Sequence, residues 1–429
     1  MNTGDNCEMS SIRDCNALIV LLLIAGALLA IKFSMQGPLY PHEASKKGLR
    51  ASQYTFTISV YEIAILFMNL SLIPAIGKFG ANQCFIAGNI LTGLSCIAFG
   101  VLHYIDNGAI FLAMSFAIKI VEGIGTSGAY VTSGVLISYH YSENKGFFIS
   151  VKEVCVSVGM CLGPVIGGEL MDATNFSVPF ISSGLLLVFC ALAAKCILKK
   201  SETEERRQQS IRVFTVIKLP GMWVGLLSSL LTCCSFGFVN MILEPYIRVF
   251  NYSGFEVGLF FAIFSVVFAL FSPVFGVIMD KGFSPLIQIA FGTLCHVLCF
   301  IFLGPIPYDN PQVWSIILAL VFNGIGVAGM NVSGLMNTLN ILKINSYGDS
   351  ESITVIGTAF WSSAIAIGYI IGAPLGGIMF DFVGMKAAGI VLAIVNACFL
   401  LAVIVAYSKG RFIKEHSFEE TSETDKLLS

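Results

Sequence analysis

Charged side chains are scarce in this sequence. Asp, Glu, Lys and Arg make up 12% of the 429 residues, whereas a soluble globular protein carries about 25%. Hydrophobic residues account for 56% of the chain. So little charge over such a length excludes an ordinary soluble protein, and it indicates a polytopic membrane protein in contact with the lipid bilayer.

Other features are missing as well. The sequence has no tract of basic residues and its net charge is −2, so a nucleic-acid partner is not expected. The 13 cysteines lie mostly in apolar runs, where they behave as small hydrophobic residues. They show no CxxC motif and no Cys/His spacing typical of a metal site. We therefore expect no metal, no cofactor and no enzymatic activity.

Apolar stretches of about 20 residues, the length that crosses a bilayer, recur along the chain. Twelve are predicted, near residues 17–36, 54–76, 83–103, 109–137, 147–171, 176–198, 220–245, 255–279, 284–304, 311–337, 353–379 and 384–407. The predicted fold class is therefore an all-α membrane protein with twelve transmembrane helices.

One polar stretch, KKSETEERRQQSIRVFTVIK, separates the sixth predicted helix from the seventh. The predicted organisation is an N-terminal tail at 1–16, a six-helix bundle at 17–198, a linker at 199–218, a second six-helix bundle at 219–407 and a C-terminal tail at 408–429. Placing both tails and the linker in the cytosol puts most Lys and Arg residues there, as the positive-inside rule requires. Lys46, Lys47 and Arg50, in the first outer loop, run against that rule.

The two predicted halves contain a repeat. GPVIGGELMD ends the fifth helix and GAPLGGIMFD ends the eleventh, which is the fifth helix of its own half. The match pairs Gly163 with Gly372 and Asp172 with Asp381 at a fixed offset. A repeat at the same ordinal helix indicates two pseudo-symmetric bundles.

Two repeated six-helix halves resemble the plan of the major facilitator superfamily, whose members bind substrate near the membrane midplane. The stretch GVIMDK resembles the loop motif of that superfamily through Gly276, Asp280 and Lys281. The first-half copy of the motif is degraded, because Gly77 stands where the Asp would be.

A second stretch, GMCLGPVIGG, resembles the fifth-helix signature of proton antiporters in this superfamily. Its fixed positions are Gly159, Gly163, Pro164, Gly167 and Gly168. Glycines let two helix backbones approach closely, and a proline bends the helix. We expect these residues to serve the conformational change of an exchanger; the alternative is simple helix packing.

Lys119 and Glu122 lie in an apolar stretch that reads AIKIVEGIGTSG. Residues three apart share a face of a helix, and ionisable residues inside a membrane are candidate functional residues. The stretch resembles the fourth-helix motif of proton-coupled members, with Lys119 in the place of an Arg and Glu122 in that of a Gln. We expect Glu122 to carry the coupling proton and Lys119 to control its ionisation; the alternative is a static pair that holds the helix.

Other residues resemble the vesicular amine transporter family. In helix seven, NMILEPYI supplies Glu244 and Pro245, which match a Leu-Glu-Pro element of that family. Three further stretches resemble the vesicular polyamine transporter branch of that family: GPLYPHEASKKG after the first helix, Tyr61-Glu62 and Phe236-Gly237-Phe238.

Two departures argue against a monoamine substrate. The helix-one Asp of the monoamine and acetylcholine members has no counterpart, since GALLAIK supplies Ala30 and Lys32 instead. Their helix-eleven carboxylate is absent too, because only Ser362 and Ser363 are available there. Lys32 itself either extends outward to the membrane interface or stays within the span.

The resemblance implies a monomeric, proton-coupled antiporter that moves cationic amines such as spermine and spermidine into acidic vesicles by alternating access. A polyamine carries several positive charges, so its binding requires separated carboxylates. The candidate substrate-binding residues are Glu62, Glu122 and Glu244, with Pro245 freeing backbone carbonyls beside the last. The alternative for Glu62 is a packing role, and for Glu244 a helix-end carboxylate that reaches lumenal water. The candidates for proton coupling are Lys119, Glu122 and Glu153, although Lys152 and Glu153 lie near the membrane surface, where Lys152 is expected to form an interfacial ion pair.

The C-terminal tail, SFEETSETDKLLS, is hydrophilic and expected to be disordered. Glu423 lies just upstream of Leu427 and Leu428, which matches the acidic dileucine signal that clathrin adaptor complexes bind. We expect this signal to direct the protein to intracellular vesicles. Two other functions stay open: a broad-specificity drug/proton antiporter of the same fold, and a non-transporting membrane receptor or scaffold.

Overall fold

A computed structural model describes residues 4–140, 145–198, 219–281, 283–304, 310–344 and 350–427. The predicted linker, 199–218, and the dileucine residue Leu428 lie outside these residues. Within the described ranges, the regular elements are helices and no strand occurs. The predicted all-α class is therefore confirmed.

The helices account for all twelve predicted apolar stretches. In chain order they are α1 (Gly4–Ser34), α2 (Gln36–Lys46), α3 (Ala51–Tyr54), α4 (Phe56–Phe79), α5 (Ala81–Val101), α6 (Gly108–His140), α7 (Lys145–Ala173), α8 (Ser177–Ile197), α9 (Pro220–Ile247), α10 (Gly254–Asp280), α11 (Pro285–Leu303), α12 (Val313–Ile344), α13 (Ser350–Phe382) and α14 (Met385–Leu427). Among the described residues, 11 spans are long and apolar enough to cross a membrane. The predicted second span coincides with α4, which is 24 residues long.

The first span is longer than predicted. The sequence predicts an end near residue 36, whereas α1 and α2 together form a span at Ala17–Lys46. Pro38 does not stop the helix, because it lies in the first turn of α2, where a backbone N–H has no intrahelical acceptor to reach. Lys47 follows α2 directly, and its Nζ donates to the carbonyl oxygens of His103 and Ile105 at 2.9 and 2.6 Å. The predicted first outer loop is therefore mostly helix.

The C-terminal tail also differs from the prediction of disorder. The last helix, α14, continues to Leu427, so Glu423 and Leu427 lie in a helix. No proline or glycine follows Gly410 to interrupt the helix, and Glu and Lys residues favour its continuation.

The chain forms two compact units. The first comprises Met1–Ile211, Cys233–Ala269 and Ala366–Gly384, and the second comprises Arg212–Thr232, Leu270–Ile365 and Met385–Ser429. In the first unit, α5 packs against α6 and α8, and α1 packs against α7. In the second unit, α11 packs against α12 and α14.

Close helix contacts in the first unit repeat as the sequence does. A Cβ atom on Gly163 of α7 would lie 2.5 Å from the carbonyl oxygen of Ile31 in α1. A Cβ atom on Gly372 of α13, the counterpart of Gly163, would lie 2.6 Å from the Cα atom of Cys234 in α9. In both places the two backbones are too close for any side chain, so glycine is required there.

We predict that Gly163→Ala and Gly372→Ala each lower the thermal denaturation temperature of the purified protein. Each added methyl group overlaps backbone atoms of the neighbouring helix, and overpacking of this kind costs about 1–3 kcal/mol. Gly276→Ala is the matched control, because a Cβ atom there meets no heavy atom within 4 Å. Equal denaturation temperatures for all three variants would contradict the contact.

Candidate functional site

Three buried charged side chains meet in the first unit. Lys32 lies on α1, and Lys119 and Glu122 lie on α6; these residues are named the charge triad. Their exposed fractions are 1%, 2% and 1%. Ionisable groups buried within membrane spans are costly, and they normally mark a substrate or ion pathway.

Glu122 lies between the two lysines. Its Oε2 accepts a hydrogen bond from Lys119 Nζ at 2.9 Å, and its Oε1 forms an ion pair and hydrogen bond with Lys32 Nζ. Lys32 Nζ also donates to Thr126 Oγ1 at 3.1 Å. The Tyr61 ring centroid lies 4.9 Å from Lys32 Nζ and 5.7 Å from Lys119 Nζ. The carboxylate is thus neutralised twice, and the triad carries one more positive than negative group.

Sequence reasoning identified Lys119 and Glu122 as neighbours but missed Lys32 as the third member. The interpretation that Lys32 extends to the interface is wrong, because its side chain is buried against Glu122. That interpretation depended on a first span that ended near residue 36. With the span at Ala17–Lys46, Lys32 lies near the middle, too far from either end to reach water. A helical assignment of the segment after Met35 would have revealed this.

Glu62 is a second buried carboxylate, on α4 next to Tyr61, with an exposed fraction of 7%. It forms no ion pair or hydrogen bond with any residue that the structure describes. Tyr61 belongs to an aromatic group with Phe33 and Tyr369: the Phe33 ring centroid lies 5.8 Å from that of Tyr61 and 6.2 Å from that of Tyr369. An unpaired carboxylate beside electron-rich rings is suited to receive a cation.

Glu244 is separate from the triad and already paired. It lies near the end of α9 with an exposed fraction of 4%, and Arg248 Nη2 and Nε reach its two oxygens at 2.5 and 3.0 Å. His42 Nδ1 lies 3.4 Å from Glu244 Oε1, which ties α9 to α2. Pro245 lies inside α9 and has no N–H, so it leaves the carbonyl of Met241 without its usual donor.

Glu153 is also separate from the triad. Its side chain is 49% exposed, and its carboxylate accepts the Tyr130 hydroxyl at 2.8 Å. Lys152 Nζ lies 3.3 Å from Glu153 Oε1 and 3.9 Å from the centroid of the Tyr130 ring. These contacts form a local ion pair on α7.

A buried cluster around Glu43 was not anticipated from the sequence. Its Oε1 lies 2.8 Å from His103 Nδ1 and 3.4 Å from Lys47 Nζ, and its exposed fraction is 3%. The cluster fixes the end of α2 against the turn that follows α5. It could not be found while the segment was assigned to an outer loop.

The two repeated aspartates have equivalent positions. Asp172, at the end of α7, accepts the backbone N–H groups of Gly254 and Phe255 at 2.8 Å each, at the start of α10. Asp381, at the end of α13, accepts the N–H of Ser52 at 2.7 Å, at the start of α3. A carboxylate is favourable at a helix N-terminus, where N–H groups lack intrahelical acceptors. The repeat was visible in the sequence, but its contacts were not.

The remaining predicted residues are placed as follows. Of the antiporter signature, Gly159 and Gly163 face α1, and Gly167 faces Met35 and Leu39 at the start of α2. Gly168 and Pro164 lie against α10 near Gly254 and Gly258. In the second unit, Gly276 and Asp280 end α10 and the exposed Lys281 follows it.

Comparison with known proteins agrees with this architecture. The family model of the Major Facilitator Superfamily matches residues 22–357. The MFS-type transporter SLC18B1 of Rattus norvegicus is 29% identical over 393 residues, which cover 90% of this chain and 85% of the relative. The Synaptic vesicular amine transporter of Homo sapiens is 24% identical over 293 residues, which cover 65% of this chain and 53% of the relative.

Solved structures show the same fold. The nucleoside transporter NupG superposes with a TM-score of 0.74 at 12% sequence identity, covering 91% of this chain and 99% of NupG. SLC18B1, the Synaptic vesicular amine transporter and NupG are all transporters, which is also the function that the sequence predicts for this chain. With helices at all twelve predicted apolar stretches, an internal repeat and a matching family model over most of its length, the chain is a transporter, not an enzyme, and it belongs to the Major Facilitator Superfamily.

Proposed function

We propose that this transporter moves cationic amines into acidic vesicles in exchange for lumenal protons, with polyamines such as spermine and spermidine as substrates. Its similarity to SLC18B1 and to vesicular amine transporters supports an amine substrate. Its antiporter signature supports exchange.

The main support for this proposal is the burial of Glu62 without an ion-pair partner among the described residues. A buried ionised carboxylate without such a partner is costly, so a group in this position favours a bound cation. A buried carboxylate that attracts a cation is what the binding site of an amine transporter requires. Glu122 supplies a second buried carboxylate in the same unit, as a multiply charged amine needs.

The other predicted residues take supporting roles in this proposal. Glu244, with Arg248 and His42, is a contact for the amine near the lumenal end of α9, and Glu153 passes protons near the cytosolic end of α7. The antiporter signature, Pro245 and the loop motif at Gly276, Asp280 and Lys281 serve the alternation between states. Both termini and the linker are cytosolic, which follows the positive-inside rule.

A broad-specificity organic-cation antiporter is the second candidate. The aromatic group of Phe33, Tyr61 and Tyr369 favours it, because flat aromatic cations stack on such rings. The proposed substrate, a polyamine, uses charge more than stacking. The two candidates therefore differ in which cations compete.

We predict that proteoliposomes containing the purified protein accumulate labelled spermidine when their interior is acidic. Accumulation should collapse on addition of an ionophore that dissipates the pH gradient, because proton exit drives uptake. Excess unlabelled spermine should compete strongly, and an aromatic monocation weakly. Uptake that is unaffected by the ionophore would contradict proton-coupled antiport. Stronger competition by the aromatic cation would favour the second candidate.

We also predict that Glu62→Gln abolishes gradient-driven spermidine uptake while the protein still folds. The amide keeps the shape of the side chain but does not attract a cation as a carboxylate does. Glu169→Gln on α7 is the control, since Glu169 is exposed. Wild-type uptake by Glu62→Gln would exclude Glu62 from the site.

The C-terminal tail is proposed to bind clathrin adaptor complexes through Glu423, Leu427 and Leu428. Replacing both leucines with alanine should move the protein to the cell surface, measured by surface biotinylation. The paired change Glu419→Ala and Glu420→Ala leaves the motif intact and should keep the protein in vesicles. Retention of the dileucine variant in vesicles would show that the sorting signal lies elsewhere in the chain.

A further inference from the structure

We infer that Lys119 carries the coupling proton, and that its ammonium group competes with the cationic substrate for the Glu122 carboxylate. This inference rests on the proposed amine-for-proton exchange and names the residue that couples the two. It reverses the roles that the sequence suggested for Lys119 and Glu122.

The charges of the triad do not balance. Two buried ammonium groups face a single carboxylate, so one positive charge remains without its own counter-ion. Glu62 forms no ion pair with either lysine among the described residues. If one lysine gives up its proton, the other lysine and Glu122 become a neutral pair. Such a pair is less costly to bury than the surplus charge.

The contacts indicate which lysine gives up its proton. An ammonium group has three N–H donors. Lys32 Nζ donates to Glu122 and to Thr126, so two of its donors have polar acceptors. Lys119 Nζ has one polar acceptor among the described residues, Glu122 Oε2, and otherwise faces the ring of Phe99 at 4.3 Å. Lys119 Nζ therefore loses fewer interactions with polar acceptors than Lys32 Nζ would when its nitrogen becomes neutral.

The other groups that face Lys119 leave this assignment intact. On α4, the ring of Tyr61 faces Lys119, and Glu62 is the next residue in the chain. On α5, Cys96 is engaged elsewhere, since its thiol lies 3.2 Å from the carbonyl oxygen of Phe180, within hydrogen-bonding reach. On α1, Lys32 places the second positive charge of the triad on the other carboxylate oxygen of Glu122. Among the described residues, Glu122 is thus the one carboxylate paired with Lys119, and a substrate that binds there competes with Lys119 for it.

Competition for Glu122 is sufficient to produce antiport. When Lys119 is neutral, Glu122 Oε2 is free to accept one substrate ammonium group. When a proton from the lumen binds the Lys119 amine, the resulting ammonium takes Oε2 back and repels the substrate. One proton is bound as one substrate charge leaves, and the proton is released to the cytosol before the next substrate binds. Two ligands that exclude each other at one site are coupled by linkage.

The test uses substitutions that fix the charge at position 119. Arginine does not lose its proton in proteins, whereas glutamine never gains a charge. We expect Lys119→Arg to bind spermidine about tenfold more weakly or worse, because a permanent like charge remains beside the site. We expect Lys119→Gln to bind spermidine and to exchange it for spermidine, but to lose the pH dependence of binding and gradient-driven accumulation.

Lys195→Arg is the matched control. Lys195 is exposed near the end of α8 and is not a member of the charge triad, so its replacement by arginine should keep the pH dependence of spermidine binding. Thermal denaturation of each purified full-length variant distinguishes misfolding from altered binding. If Lys119→Arg does not fold, the pH profile of Lys119→Gln decides the question by itself.

Two results would overturn the inference. Proton-driven accumulation by Lys119→Arg at the wild-type rate would mean that Lys119 only positions Glu122. Wild-type pH dependence of binding in Lys119→Gln would place the proton elsewhere. Failure of the wild-type protein to accumulate any amine would instead refute the proposed function, so the two failures can be told apart.

Discussion

The cost of burying charge within a membrane is the constraint on which this structure depends. Glu122 is held between Lys32 and Lys119, and breaking a buried pair by removing one partner costs about 3–5 kcal/mol. The ion pairs therefore fix α1 against α6 and bring Tyr61 of α4 to the same place. Because the triad carries a surplus positive charge, its members are sensitive to the arrival of another cation. A structural element and a candidate transport site are thus the same set of side chains.

Close backbone contact is the second constraint, and the internal repeat provides it twice. Gly163 and Gly372 let α7 and α13 lie directly against neighbouring helices, and Asp172 and Asp381 bind helix N-termini at the ends of the same two helices. Contacts without long side chains between them can separate and re-form as whole helices move. The repeat therefore supplies equivalent contacts in both halves of the sequence, which suits an alternating-access transporter.

Much of the fold could be predicted from the sequence, because long apolar stretches have few alternatives inside a membrane. The positions of the helices and the repeat followed directly, and so did the pairing of Lys119 with Glu122, which are one turn apart. The burial of Lys32 did not follow, since its partner lies 90 residues away and the length of the first span was underestimated. The pairing of Glu244 with Arg248 was within reach of the i, i+4 rule, but the contact of His42 with Glu244 depends on α2 being helical.

In the proposed coupling, a proton on Lys119 and a substrate cation exclude each other at Glu122. The most direct measurement is proton release when spermidine binds to the purified protein in weakly buffered solution, followed with a pH indicator. Binding should release protons from the wild-type protein and from Lys195→Arg, whereas Lys119→Gln should bind spermidine without releasing any. Spermidine binding to the wild-type protein with no proton release, or equal release from Lys119→Gln, would contradict it.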